Sequence, residues 1–149
     1  MTLVELSVSD LAAEAARPLD LEGLYAEAQG VVDRAYAPYS GLRVGAALLE
    51  KGGEVITGAN VENGSYGLTI CAERAAVVRA VAQGHSDFLA IAVAGADPRV
   101  RTLACCGACL QVLAEFDRGQ SLVVLFPDDG LLRIALLAEL LPTRFSLSS

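Results

Sequence analysis

Cys71-Ala72-Glu73 opens one helical pattern, and Cys106-Gly107-Ala108-Cys109 opens another further along. This pairing constrains the fold more than anything else in the chain. Cys106 and Cys109 are three apart, so on a helix they share a face and can meet one metal. If Cys71 supplies a third thiolate, two helices must bring their N-terminal ends to one point, where their positive dipole ends offset part of the thiolate charge. Three cysteines can hold one zinc and leave the fourth tetrahedral position for water, the layout of a catalytic rather than a closed structural site. Glu73 follows Cys71 by two. In a first helical turn both side chains reach the same pocket mouth, which suits a proton shuttle better than a ligand.

Other readings of these residues exist. A bare C-x-x-C is also a redox pair, but that has no use for Cys71 or Glu73. Cys105 would complete a four-cysteine site, yet adjacent side chains diverge by ~100° on a helix and bind one metal poorly, so a small buried filler is the better reading. Glu73 alone could be an ordinary N-terminal carboxylate favoured by the dipole. His85, the sole histidine, follows Gly84 in a turn and reads as surface.

The rest of the chain supplies strands for those helices. Residues 1–18 are Ala/Glu-rich and read as a helical N-terminal extension. Leu21, Leu24, Tyr25, Ala28, Val31 and Val32 recur at helical spacing, in a helix ending before Ala37-Pro38. Val44–Leu49 and Val55–Thr57 flank Lys51-Gly52-Gly53 as a hairpin. A polar loop from Asn60 to Gly67 leads to the helix from Cys71 to about Gln83, stopped by Gly84. Phe88–Ala94 and Leu122–Phe126 are continuous apolar runs, the mark of strands buried on both faces. A helix from Cys106 through Phe116 separates them, and a short strand and helical turn end near Leu141-Pro142. The fold expected is a three-layer α/β/α sandwich, a mixed five-stranded sheet with helices on both faces, in a single domain over 1–149.

Composition narrows the partners. The net charge is −7, which gives no footprint for a nucleic acid polymer. The apolar share is 54%, yet no run approaches the ~18 residues that cross a bilayer. The surplus apolar surface points to contacts between subunits. The first residues lack the pattern of an export signal, so the four cysteines read as thiols or metal ligands in a reducing cytoplasm.

With these residues in place the chain resembles the small cytidine deaminases that act on free nucleosides. The resemblance spans roughly Tyr36 to Phe145. It rests on Tyr36-Ala37-Pro38-Tyr39-Ser40, Val44–Leu49, Gly58–Asn63, Cys71-Ala72-Glu73-Arg74, Cys106-Gly107-Ala108-Cys109 and Leu140–Phe145, in that order. It implies a homotetramer with one Zn²⁺ per subunit, ligated by Cys71, Cys106 and Cys109. The implied reaction hydrolyses cytidine or 2′-deoxycytidine to the uridine and ammonia in pyrimidine salvage, with Glu73 as the proton shuttle. By resemblance Asn60 and Glu62 hold the sugar hydroxyls, and the Ala72 N–H binds the pyrimidine carbonyl. Tyr66 and Phe145 line the pocket, Phe145 reaching it from a neighbouring subunit. Taken alone, Asn60 and Asn63 read as turn builders, Tyr66 as core and Phe145 as C-terminal packing.

Three positions depart from the family's pattern. Cys105 stands where a proline is usual and Leu110 where an arginine supports the third ligand, leaving Arg74 to compensate the sulfurs. Leu42 stands where an aromatic often stacks on the base, forgoing about 0.5–1.5 kcal/mol of ring stacking. These changes leave room for another cytosine nucleoside, such as blasticidin S, as the substrate. A catalytically silent zinc-bound scaffold is the reading from a different class, and an intact Glu73 speaks against it.

Overall fold

Six strands form one sheet in the computed structural model, which describes residues 3–4 and 19–148. They are β1 (Leu3–Val4), β2 (Val44–Glu50), β3 (Val55–Ala59), β4 (Phe88–Gly95), β5 (Val123–Asp128) and β6 (Leu131–Leu136). Their order is β1-β6-β5-β4-β2-β3. β4 runs parallel to β5 and β1 parallel to β6; the other pairings are antiparallel, so the sheet is mixed. The five expected strands are all present. The sixth, Leu3–Val4, corrects the helical reading of the N-terminus at those two residues; the rest of that extension lies outside the described residues.

Among the described residues, four helices cover the sheet: α1 (Leu21–Val31), α2 (Ala72–Ala82), α3 (Gly107–Ala114) and α4 (Leu137–Leu140). Strand alternation sorts the core into two halves. Ala47, Ala90, Ala92, Val123 and Leu125 pack with Leu21, Leu24, Tyr25 and Ala28 of α1. On the other face Ala46, Leu48, Ile91, Val93 and Val124 pack with Ala76 and Val77 of α2, Leu113 of α3 and Leu137 of α4. Burial from both sides explains the unbroken apolar run of β4.

Two glycines set how closely helices approach. A Cβ on Gly45 would lie 2.2 Å from the Ala28 carbonyl oxygen of α1. One on Gly58 would lie 2.4 Å from the Ala76 nitrogen and 2.5 Å from the Ala72 oxygen of α2. Helix backbone therefore rests directly on strand backbone, and α2 is seated on β3 from its first turn.

The helix ends follow their sequence signals. Asp20 caps α1 by accepting the Gly23 N–H at 2.8 Å. Gly84 stops α2 with a φ of +92°. α3 ends at Ala114, short of the expected Phe116, in turns that bond Phe116 N to Leu113 O and Asp117 N to Ala114 O. Asp117 is buried, accepting the Leu122 N–H at 2.8 Å and the Arg144 guanidinium at 2.7 Å, so the C-terminal tail is tied to the end of α3. His85 departs from its surface assignment: it is half-buried, its Nε2 2.8 Å from Glu54 and its Nδ1 3.5 Å from Glu50. No helix among the described residues is long and apolar enough to cross a membrane.

Candidate metal centre and substrate cavity

Cys71 and Cys106 occupy the N-cap positions of α2 and α3, both in extended backbone. The sheet delivers these helix ends to one place, and Cys109 follows in the first turn of α3. The Cys106 sulfur lies 3.5 Å from that of Cys109 and 3.9 Å from that of Cys71. Ligand atoms of the three residues all lie within 4.8 Å of one another. A tetrahedral zinc with Zn–S bonds of about 2.3 Å needs sulfurs about 3.8 Å apart, so the donor set fits the ion. Cys105 is not part of the cluster; it is buried in the core, where desolvation and the nearby Glu73 carboxylate raise its thiol.

Charge is distributed unevenly among the thiols. Hydrogen bonds with Cys109, Arg74 and Cys106 lower Cys71 to about 5. Cys109 is pushed upward by its contact with the Cys71 sulfur and by burial. Arg74 reaches the cluster from the first turn of α2, its Nη2 3.7 Å from the Cys71 sulfur and 3.4 Å from the Thr69 carbonyl. Its Nε is buried with no partner among the described residues, a donor still to be used. Leu110 packs in the hydrophobic core with only 7% exposed, so its side chain serves packing rather than the sulfurs.

A cavity of about 540 Å³ opens beside the cluster, lined in part by Cys71, Cys106, Ala72 and Glu73. Glu73 is 5% exposed, and burial, then the Cys71 thiolate, raises its pKa. A carboxyl raised in this way holds a proton more readily than an exposed carboxylate does, which suits it to proton transfer. Ala72 opens α2, where a backbone N–H has no partner inside the helix.

Asn60, Glu62, Leu42 and Tyr66 line the same cavity. Asn60 holds the start of β2: its Oδ1 accepts the Val44 N–H and its Nδ2 donates to the Leu42 carbonyl, both at 2.8 Å. One amide hydrogen and one lone pair remain free. The turn-building role falls to Asn63, which accepts the Ser65 N–H at 2.8 Å. Glu62 is buried and accepts from Tyr39 and Ser40, and the Ser40 hydroxyl above all lowers its pKa. Tyr66 is rim rather than core, 75% exposed with its ring edge-on to Tyr39 at 5.9 Å.

Phe145, expected to reach a neighbouring subunit's pocket, does not line the cavity of its own chain. It is 72% exposed, while its N–H and carbonyl pair with the Gln111 side chain at 3.1 and 3.0 Å. Conversely, Tyr39, Ser40, Val44, Thr69, Leu103 and Ala104 line the cavity without having been singled out. Tyr39, Ser40 and Val44 sit inside motifs that marked them; Thr69, Leu103 and Ala104 lie outside every motif quoted above.

Comparison with known proteins agrees with this geometry. The family model described as "Cytidine and deoxycytidylate deaminase zinc-binding region" matches residues 20–125. A cytidine deaminase of Halalkalibacterium halodurans is 47% identical over 128 residues, 86% of this chain and 96% of the relative. The crystal structure of a cytidine deaminase from Burkholderia pseudomallei superposes with a TM-score of 0.78 at 42% identity, over 85% of this chain and all of that one. A blasticidin-S deaminase of Bacillus cereus is more distant, 29% identical over 69% of this chain and 76% of its own. The chain therefore belongs to the cytidine deaminase family and shares its zinc-binding region.

Proposed function

We propose that this protein hydrolyses the 4-amino group of free cytidine and 2′-deoxycytidine, giving the uridine and ammonia. One observation carries the reading: a buried carboxyl with a raised pKa, Glu73, shares a cavity wall with two of three converging thiols. Cys71, Cys106 and Cys109 would hold the zinc, with Arg74 donating to the sulfurs. The ion, when bound, acidifies water and makes it nucleophilic near neutral pH. Glu73 moves the protons: it takes one from water and delivers it to ring N3 as hydroxide adds to C4. It then takes the proton of the new C4 hydroxyl and passes it to the amine, which leaves as ammonia while C4 becomes a carbonyl. The Ala72 N–H receives the pyrimidine carbonyl, and Leu42 packs on the base.

The sugar end selects for a free nucleoside. Asn60 and Glu62 offer an amide and a carboxylate, which suit hydroxyl groups and repel phosphate. Among the described residues, no lysine or arginine lines the cavity. A nucleotide would thus bring its phosphate toward a carboxylate, with no compensating cation among the described lining residues. The same argument and the negative charge disfavour a polynucleotide.

The protein works as a cytoplasmic homotetramer in pyrimidine salvage, with Phe145 completing a neighbour's pocket. Support comes from apolar side chains that the single chain leaves exposed, among them Leu68 at 66%, Val78 at 62% and Leu147 at 83%.

Turnover of cytidine, deoxycytidine, CMP and blasticidin S, followed by absorbance in wild type and Glu73→Gln, tests the proposal. The two nucleosides should be used and CMP and blasticidin S not. Glu73→Gln should keep its zinc and lose about 10²–10⁴-fold in kcat. A variant retaining a tenth of wild-type turnover would remove Glu73 from the chemistry.

A further inference from the structure

Glu62 is held by a turn that is itself held from another loop. Its carboxylate accepts the Tyr39 N–H at 3.1 Å, the Ser40 N–H at 3.2 Å and the Ser40 hydroxyl. Three donors on a group with about four acceptor sites leave roughly one lone pair for a ligand, enough for a single hydroxyl. The Ser40 oxygen also accepts the Leu42 N–H at 2.9 Å, so one residue orients two parts of the cavity wall.

The carbonyl of Ser40 is bonded as well. It accepts from Arg99 Nη2 at 3.1 Å, across fifty-nine positions of sequence. Arg99 is not free to wander: its Nε lies 2.9 and 3.0 Å from the two Asp97 oxygens, its Nη2 donates to Asp97, and its own N–H bonds Asp97 Oδ1 at 2.9 Å. A forked guanidinium–carboxylate pair of this kind fixes direction as well as distance. Gly41, at φ +73°, turns the chain just beneath, and a Cβ there would come 4.0 Å from Arg99 Nη2. Arg99 itself is 68% exposed, so the pair adds little to stability by charge alone.

We infer that Arg99, aimed by Asp97, is a positioning residue for substrate recognition: it fixes the Ser40 turn and thereby the direction in which Glu62 meets a sugar hydroxyl. The inference rests on the proposed role of Glu62 as a sugar contact. Because Arg99 acts only through that contact, its loss is felt by substrates that carry the hydroxyl and not by those that lack it.

The test measures kcat and KM for cytidine and for 2′,3′-dideoxycytidine. Arg99→Ala should raise the cytidine KM about 3–10-fold, the scale of one lost hydrogen bond to a positioning group, with kcat nearly unchanged. The dideoxycytidine KM should stay within about twofold of wild type on the same reasoning. Arg99→Lys, which keeps a donor for Ser40, should recover most of the loss. Asp97→Asn, which keeps the loop but frees the guanidinium, should shift the cytidine KM the same way by less. On a Glu62→Ala background, Arg99→Ala should add nothing. Equal effects on both nucleosides, additivity with Glu62→Ala, or an unchanged cytidine KM in both Arg99→Ala and Asp97→Asn overturns the inference. If Glu62→Ala itself fails to distinguish the two nucleosides, the sugar-contact reading falls, and the inference with it. If Glu62→Ala distinguishes them and the Arg99 variants do not, only the inference falls.

Discussion

Gly58→Ala tests how firmly the chemistry depends on the seat of α2. The added Cβ would stand 2.4 Å from the Ala76 nitrogen and 2.5 Å from the Ala72 oxygen, both backbone atoms of α2. Carbon contacts settle at about 3.5 Å or more, so the helix must lift by about 1 Å. Overpacking of this kind costs about 1–3 kcal/mol. For a chain of this size that corresponds to a fall in Tm of roughly 2–12 °C. The displacement starts at the turn that carries Cys71, Ala72 and Glu73, and 1 Å of misplacement at reacting groups can cost about 10²-fold in rate. Gly45→Ala is the matched control. Its Cβ would meet the Ala28 oxygen at 2.2 Å and lift α1, on the opposite face from the metal cluster. Gly30→Ala completes the set: no atom of the described residues lies within 4 Å of its Cβ, and replacing a helical glycine there should stabilise by about 0.5–1 kcal/mol. Thermal melts, zinc content and kcat/KM for the three proteins, taken where all are folded, decide the matter. Gly45→Ala and Gly58→Ala should melt early, and Gly58→Ala alone should lose zinc affinity and turnover. Equal kinetic losses in both would refute the argument.

Cys109→Ser should lose most of its zinc, whereas Cys105→Ser should keep it, as metal analysis of the two proteins will show; equal loss would put Cys105 in the cluster. Arg74→Ala should weaken zinc binding on the order of 10–100-fold in competition with a chelator, because no other guanidinium bonds the cluster sulfurs among the described residues; unchanged affinity would mean that the helix ends suffice. Removing Phe145–Ser149 should raise the KM for cytidine while zinc and assembly persist, and identical kinetics in the truncated tetramer would return Phe145 to simple packing. The Arg99 guanidinium holds Asp97 at about 2, below the ordinary value of about 3.9. A lowered carboxyl contributes stability above its unfolded value and loses it as pH falls, so this tether should persist above about pH 4 and disappear toward pH 2. Carbon NMR of the Asp97 carboxyl should show its titration moving up toward 3.9 in Arg99→Ala, and an unmoved titration would deny the ion pair.

What the sequence disclosed depended on the range of each signal. The starts of α2 and α3 were legible because cysteine placement and helical periodicity coincide at Cys71 and Cys106. The apolar runs in β4 and β5 were legible because both faces are covered, which needs no knowledge of the partner. Leu3–Val4 was not, since two residues carry no periodicity and the composition around them suggested a helix. His85 was misjudged because its carboxylates sit on the hairpin, thirty-one residues from it in the case of Glu54. Asp117 with Arg144, and Arg99 with Ser40, are pairs that only the folded chain brings together. The tether on Phe145 shares this limit: Gln111 reads as an unremarkable helical residue until the tail returns to it.

The cavity draws its two halves from different kinds of backbone. The thiols, Glu73 and the Ala72 amide belong to the first turns and caps of α2 and α3, which are packed against the sheet. Ser40, Leu42, Asn60 and Glu62 belong to the segments between elements, and Tyr66 opens a short 3₁₀ turn, Tyr66–Leu68, in the loop before α2. Regular elements hold their geometry, whereas connecting loops accept substitution and insertion. On the proposed function, the bond-breaking apparatus can therefore stay fixed while the recognising half is rewritten. A lineage could exchange one amino-pyrimidine for another by editing two loops, with its metal chemistry inherited intact.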